Sequence, residues 1–172
     1  MSRLWPHTTY AEEQPYYHSI LTTHVLTRAI QSGSLVGAGI SSTVFALRNF
    51  KILKPRIPSS TLTTTLLRSS GIGAIAGFGL LCVGLPMQMR GKEEIEWRDR
   101  SWRLLENQGQ LECDDWTYPA MVAGGLAAAT QRSVLGWKGV IGGIGAGSVL
   151  GMAGYMGWRY GVKGGKREET TV

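Results

Sequence analysis

The 172-residue chain carries 18 Lys and Arg against 12 Asp and Glu, a formal net charge of +6, yet only 17% of its residues are charged. A typical soluble domain is about 25% charged, and a nucleic-acid-binding surface gathers its basic residues beside exposed aromatics; here they sit between long uncharged runs, which argues against both classes. Cys82 lies in an apolar run and Cys113 in an acidic loop, with no C-x-x-C spacing, so a disulfide framework and a zinc site are not expected.

In chain order, residues 1–28 form a polar N-terminal segment. Its start, MSRLWPHTTYAEEQPYYHS, has no apolar secretory core, and Glu12 and Glu13 interrupt the acid-poor pattern of a cleaved presequence. Any targeting signal is therefore expected to be internal and uncleaved. Four windows without Asp, Glu, Lys, Arg or His follow, at 29–47, 69–89, 116–131 and 139–158. As helices they would be roughly 24 to 32 Å long, against a hydrocarbon core of about 30 Å. Residues 29–158 thus read as an all-α membrane domain of about four transmembrane helices, and 159–172 as a charged C-terminal tail. Aromatic residues flank the last two windows: Trp116 and Tyr118 open the third, and Trp137, Tyr155, Trp158 and Tyr160 bracket the fourth. Indole and phenol rings favour the headgroup layer. Asp114 and Asp115 followed by Pro119 read as a helix cap with proline in the first turn. The short stretch 132–138 joins segments three and four as an antiparallel hairpin.

Four crossings put both termini and the central loop, 90–115, on one side. That side holds eleven basic residues and all 12 acidic ones, whereas the other holds Arg48, Lys51, Lys54, Arg56, Arg68, Arg132 and Lys138 with no acid. Raw Lys/Arg counts favour the termini side as the positive one and net charge favours the short loops. Because the short loops have no compensating acids, they are expected to face the negative compartment. The central loop is itself helical in pattern: Glu94–Arg98, Glu96–Arg100 and Asp99–Arg103 are acid-to-base pairs at i, i+4, each adding about 0.2–0.5 kcal/mol to a helix. Ile95, Trp102 and Leu105 share one arc and Trp97 with Leu104 another, so Ile95, Trp97, Trp102 and Leu105 are candidate partner contacts.

The run GVIGGIGAGSVLGMAGYMGW, 139–158, does not complete G-x-G-x-x-G, since Ser148 and Leu150 stand where the third glycine belongs. Its Gly139, Gly143, Gly147 and Gly151 instead recur every four residues, on one helix stripe. Gly73 and Gly77 repeat the spacing in segment two, as do Gly33–Gly37 and Ala120–Gly124–Ala128. Small residues at this spacing let helices approach closely in lipid, which makes these glycines candidate packing positions. His7, His18 and His24 share no ligating spacing. Without ionisable residues in the windows, neither catalysis nor autonomous ion transport is expected.

PHTTY followed by HVLTRAIQSGSLVGAG near the start, and GSVLGMAGYMGWRYG near the end, together resemble the fungal NUXM-type accessory membrane subunits of mitochondrial respiratory complex I (NADH:ubiquinone oxidoreductase). That resemblance implies a supernumerary, non-catalytic subunit of the inner membrane, packed among membrane-arm subunits and lipids, with no cofactor beyond bound phospholipid; in that membrane the charge balance of the loops places the termini on the intermembrane-space side. The glycine-rich four-span layout is also similar to the Tim17/Tim22/Tim23 translocase family, although RGKEEIEWRDR after segment two matches that family's loop signature only in part. The expectation is a complex I accessory subunit, with a translocase or carrier component as the alternative.

Overall fold

The structure, a computed structural model, describes residues 2–53 and 61–165. Lys54 and Arg56 of the first short loop, and the tail beyond Gly165, lie outside the described residues. The regular elements are helical: α1 (Tyr17–Asn49), α2 (Leu62–Gln88), α3 (Glu94–Glu106), α4 (Gln108–Thr130) and α5 (Arg132–Met156), the last continued by a wider π turn, Gly157–Val162. Short 3-10 turns at Ser2–Leu4 and Ala11–Glu13 precede them. α1 packs on α2, α2 on α5 and α5 on α4, so the four long helices lie in the order α1–α2–α5–α4, with α5 also touching α1. α3 crosses one end of this layer against α1 and the Ala11–Glu13 turn. That end is the collar; the far end holds the α1–α2 and α4–α5 connections.

Three helical stretches are long and apolar enough to cross a membrane: Tyr17–Asn49, Leu62–Gln88 and Arg132–Val162. α4 falls outside this set, where four spans were expected. Glu112, Asp114 and Asp115 occupy its first half, and its charge-free part from Trp116 to Thr130 is only about 22 Å long. The helix starts also differ from the uncharged windows. α1 begins twelve residues before Ala29, because charge and helicity are independent properties and the early turns run out of the apolar layer. α4 begins at Gln108, capped by the Asn107 side chain, which accepts from the Gln110 N–H at 3.2 Å. Pro119 therefore stands in the helix interior and not in the first turn, where its missing N–H removes one ladder bond.

The stretch 132–138 is no simple loop. Residues from Arg132 continue helically until Gly136, whose φ of 68° and ψ of 175° break the ladder. This strands carbonyls of the preceding turn, and Arg68 of α2 takes two of them: Nε donates to Leu135 O at 2.9 Å and Nη2 to Val134 O at 2.8 Å. In α3 a capping box forms between Glu93 and Glu96. Of the three expected side-chain pairs, Glu94–Arg98 and Asp99–Arg103 are present, whereas Glu96 pairs backwards with Lys92 at 2.9 Å. The Lys92 hydrogen bond holds the Glu96 carboxyl below its ordinary range.

Burial is distributed in two ways. Among the described residues, large apolar side chains are buried mainly at the collar, where Ile20, Leu105 and Leu111 cluster with Trp5 and Leu104, and Leu21, Leu85 and Met89 with Val25 and Trp97; at the far end Leu135 is buried as well. Along the middle of the layer the buried residues are small: Ala29, Ser34, Ser70, Ala74, Ala128 and Ser148. The large apolar side chains of that region, among them Val36, Ile40, Leu80, Val83, Leu126 and Leu150, are exposed.

The Gly136 conformation lies in a region essentially restricted to glycine, where another residue costs about 1–3 kcal/mol. Gly136→Ala is expected to lower the thermal unfolding temperature in mild detergent. Gly157→Ala, at a helical position with nothing within 4 Å of an added Cβ, is expected to leave it unchanged.

Candidate functional site

Two features stand out: backbone contacts between the helices, and a buried polar cluster where they meet the collar. A Cβ added at Gly33 would collide with the Gly73 carbonyl, one at Gly37 with the Ser69 carbonyl, and one at Gly77 with the Ala29 carbonyl. α1 and α2 thus run antiparallel with main chains touching. Between α4 and α5 an added Cβ at Gly143 would stand 2.5 Å from Gly124 O and one at Gly151 2.7 Å from Trp116 O, while one at Gly147 would strike Ala120 O. Atoms this close to backbone leave no room for any side chain.

Of the glycines singled out from spacing, Gly73 and Gly77 lie against α1, and Gly143, Gly147 and Gly151 against α4. Gly139 meets only the Leu135 side chain, from the preceding turn of its own chain. Sequence reasoning missed the second contact face of α5. A Cβ at Gly142 would strike Leu67 O, one at Gly71 would strike Lys138 O, and one at Gly145 would strike the Ser34 hydroxyl. The signal was present as the three-residue step from Gly142 to Gly145, the other ridge of a helix.

At the collar edge Asp114 is 1% exposed and accepts from Arg28 Nη2 and from Ser2 Oγ. Arg28 Nη1 donates to Gln31 Oε1 at 2.8 Å, and Gln31 Nε2 donates to the Ser148 carbonyl at 2.8 Å. With its amide turned to satisfy both groups, Gln110 accepts from Arg28 Nε at 3.1 Å. Thr27 Oγ1 and the Tyr118 hydroxyl are 3.3 Å apart. The cluster therefore ties α1, α4, α5 and the N-terminal segment together at one level. A second set joins α4 to the end of α5: Tyr155 OH donates to Glu112 Oε2 at 3.0 Å, and the buried Arg159 approaches the same oxygen at 3.6 Å.

The four candidate partner contacts of α3 are placed unequally. Leu105 is 4% exposed in the collar core, Trp97 packs on His18 and beside Leu21, and Trp102 stacks on His7 while its Nε1 donates to Thr8 O at 2.8 Å. Contacts within the chain occupy these three; Ile95 alone is largely exposed. The residue positions that α3 offers inward were legible as apolar, but their target, the aromatic N-terminal segment, was not.

Among the described residues no group of three His, Cys, Asp or Glu is placed to share a metal ion. Two apolar hollows open on the layer: a groove of about 850 Å³ between α1 and α2, running from His24 to Ile40, and a cavity of about 810 Å³ between α2, α4 and α5.

These features define an all-helical chain with three helices able to cross a membrane, whose long helices meet through backbone contacts, with the Arg28–Asp114 ion pair joining α1 to α4. Residues 12–154 match the family described as Protein of unknown function (DUF1757), and the chain belongs to that family. No curated protein and no solved structure matches the chain.

Removing one member of a buried ion pair leaves the other charge uncompensated and costs about 3–5 kcal/mol. Asp114→Leu and Arg28→Met are each expected to destabilise the protein in thermal unfolding, the first by about that order, and the double variant carrying both to recover most of the loss. If the two single changes and the double change were simply additive, the pair would not be coupled.

Proposed function

We propose that the chain crosses the mitochondrial inner membrane four times and serves as a non-catalytic accessory subunit of respiratory complex I, stabilising or assembling its membrane arm by helix packing. The observation that supports membrane embedding most strongly is the inverted burial: Val36, Leu80, Leu126 and Leu150 face outward while Ser34, Ser70 and Ser148 lie inside. In water the exposed side chains would each forfeit roughly 1.5–3 kcal/mol of burial; in lipid they are solvated. In this reading α4 is the fourth crossing. Its Trp116–Ala128 edge runs beside Gly151–Gly143 of α5, so it occupies the same depth, and the Trp116–Trp158 ring pair, 5.9 Å between centroids, marks a headgroup layer.

The respiratory assignment rests on the resemblance of the two terminal segments to NUXM-type subunits. The acid-free far end faces the negative matrix, in keeping with the preference of basic loops for that side, and the termini face the intermembrane space. Contact, not chemistry, is the mechanism: glycine seams hold the four crossings, and the outward apolar faces meet membrane-arm subunits and lipid. The protein takes no cofactor beyond bound phospholipid in this reading.

Purification in mild detergent, with identification of the co-purifying chains, tests the assignment. Membrane-arm subunits of complex I are expected; translocase subunits of the Tim17/Tim22/Tim23 type, or no stable partner, would overturn it. Overpacking a tight contact costs about 1–3 kcal/mol, so Gly147→Leu is expected to weaken co-migration with the complex on native gels. Gly79→Leu, where an added Cβ has nothing within 4 Å, is expected to leave the chain's own packing intact. Equal thermal stability of the two variants would refute the role given to the α4–α5 seam.

A further inference from the structure

The cavity between α2, α4 and α5 has a graded lining. Thr63 and Gln131 line it at the far end of the layer, and Ala120, Ala123, Ala146 and Gly147 line it further along α4 and α5. It extends from Ala120 to Gln131 along α4 and from Val134 to Leu150 along α5, about 16 and 24 Å of helix, so it reaches from the far end well into the apolar part of the layer. A hollow that is polar at the far end and apolar along the helices has the polarity gradient of a lipid, whose headgroup and acyl chains differ in the same way.

Charge at the far end is one-sided. Val134 and Leu135 form part of the cavity wall, and Arg68 binds their carbonyl oxygens. Those acceptors are neutral, so the guanidinium keeps its unit charge, and among the described residues no carboxylate pairs with it. Arg132 follows Gln131 directly and is exposed. The sequence has no Asp or Glu from residue 14 to 92 or from 116 to 167, so neither connection at this end can supply a counter-charge from its own length.

We propose that this cavity binds an anionic phospholipid, its acyl chains against the alanine and glycine wall and its phosphate at the far end beside Arg68 and Arg132. Attraction of this kind contributes about a fivefold preference per basic residue near the headgroups. The site rests on the reading of the chain as membrane-embedded, but not on any particular partner complex.

The test uses the full chain in mild detergent, with native mass spectrometry in equal amounts of phosphatidylglycerol and phosphatidylcholine of matched chains. The unmodified protein is expected to retain phosphatidylglycerol about fivefold or more over phosphatidylcholine. Arg68→Gln is expected to lose most of that preference. Because Arg68 also supports the Gly136 break, Arg132→Gln supplies an independent test at an exposed position, with a weaker loss expected. Ala127→Leu, which fills the hollow, is expected to lower retention of both lipids. Equal retention of the two lipids by the unmodified protein, or full retention by Ala127→Leu, overturns the site. Alkaline extraction of membranes separates the two levels: a chain that stays in the pellet without headgroup preference loses only this site, whereas a chain released to the supernatant also loses the membrane reading.

Discussion

The architecture depends on how closely the backbone of α5 is approached from two sides. Gly142 and Gly145 admit α2 and α1, and Gly143, Gly147 and Gly151 admit α4. Without these gaps the interaxial distances would widen by a side-chain radius, and the contacts that follow from them would be out of reach. Gln31 of α1 bonds the Ser148 carbonyl on α5, and Arg28 of the same helix meets Asp114 on α4. Both spans are short enough only because three helices converge on one glycine-rich surface. Lipid tails are as apolar as leucine, so hydrophobic burial cannot hold such helices together; dispersion and close polar contacts must do so.

The collar obeys a different rule. There the chain has an ordinary apolar core: Trp5 packs on Ile20, Leu105 and Leu111, Trp97 packs on Leu21, Leu85 and Met89, and Trp102 stacks on His7. One chain therefore contains two kinds of interior. The small-residue middle suits a medium that solvates large apolar groups, and the collar suits a medium that expels them. The change between them falls at Arg28 and Asp114, where the buried ion pair supplies a polar floor to the collar. α3 is held on top by its inward-facing aromatics, Trp102 donating to the Thr8 carbonyl of the N-terminal segment.

Much of this was legible in the sequence. Each uncharged window overlaps one of the four long helices, and of the four-residue glycine step Gly143, Gly147 and Gly151 meet α4, whereas Gly139 meets Leu135 of its own chain segment. Windows defined by charge could not find helix ends, however. α1 extends back to Tyr17 and α4 to Gln108 as hydrogen-bonded ladders that ignore solvent. Nor could a single repeat reveal that α5 has two contact faces, since Gly142 and Gly145 belong to the three-residue ridge. The Arg28–Asp114 pair left only an indirect trace: each residue stands just outside an uncharged window, at the same end of the predicted layer. Long-range pairing of that kind, 86 residues apart, is a property of topology and has no local signature.

The two ends of the layer also differ in what they leave unfinished. At the collar, acids and bases are largely paired inside the chain: Arg28 with Asp114, Arg3 with Asp115, Lys92 with Glu96, and Arg159 beside Glu112. At the far end the described cations Arg48, Lys51, Arg68, Arg132 and Lys138 have no acid within either connection. Even the hydrogen bonds of Arg68 go to neutral carbonyls, which orient the guanidinium without cancelling its charge. A field of that sign is felt over about 8–10 Å at ordinary ionic strength, and neither connection carries an acid to offset it. Anionic headgroups, as proposed above, would meet these cations in the plane where they lie, and the charge asymmetry argued to orient the chain would then also select the lipid beside it.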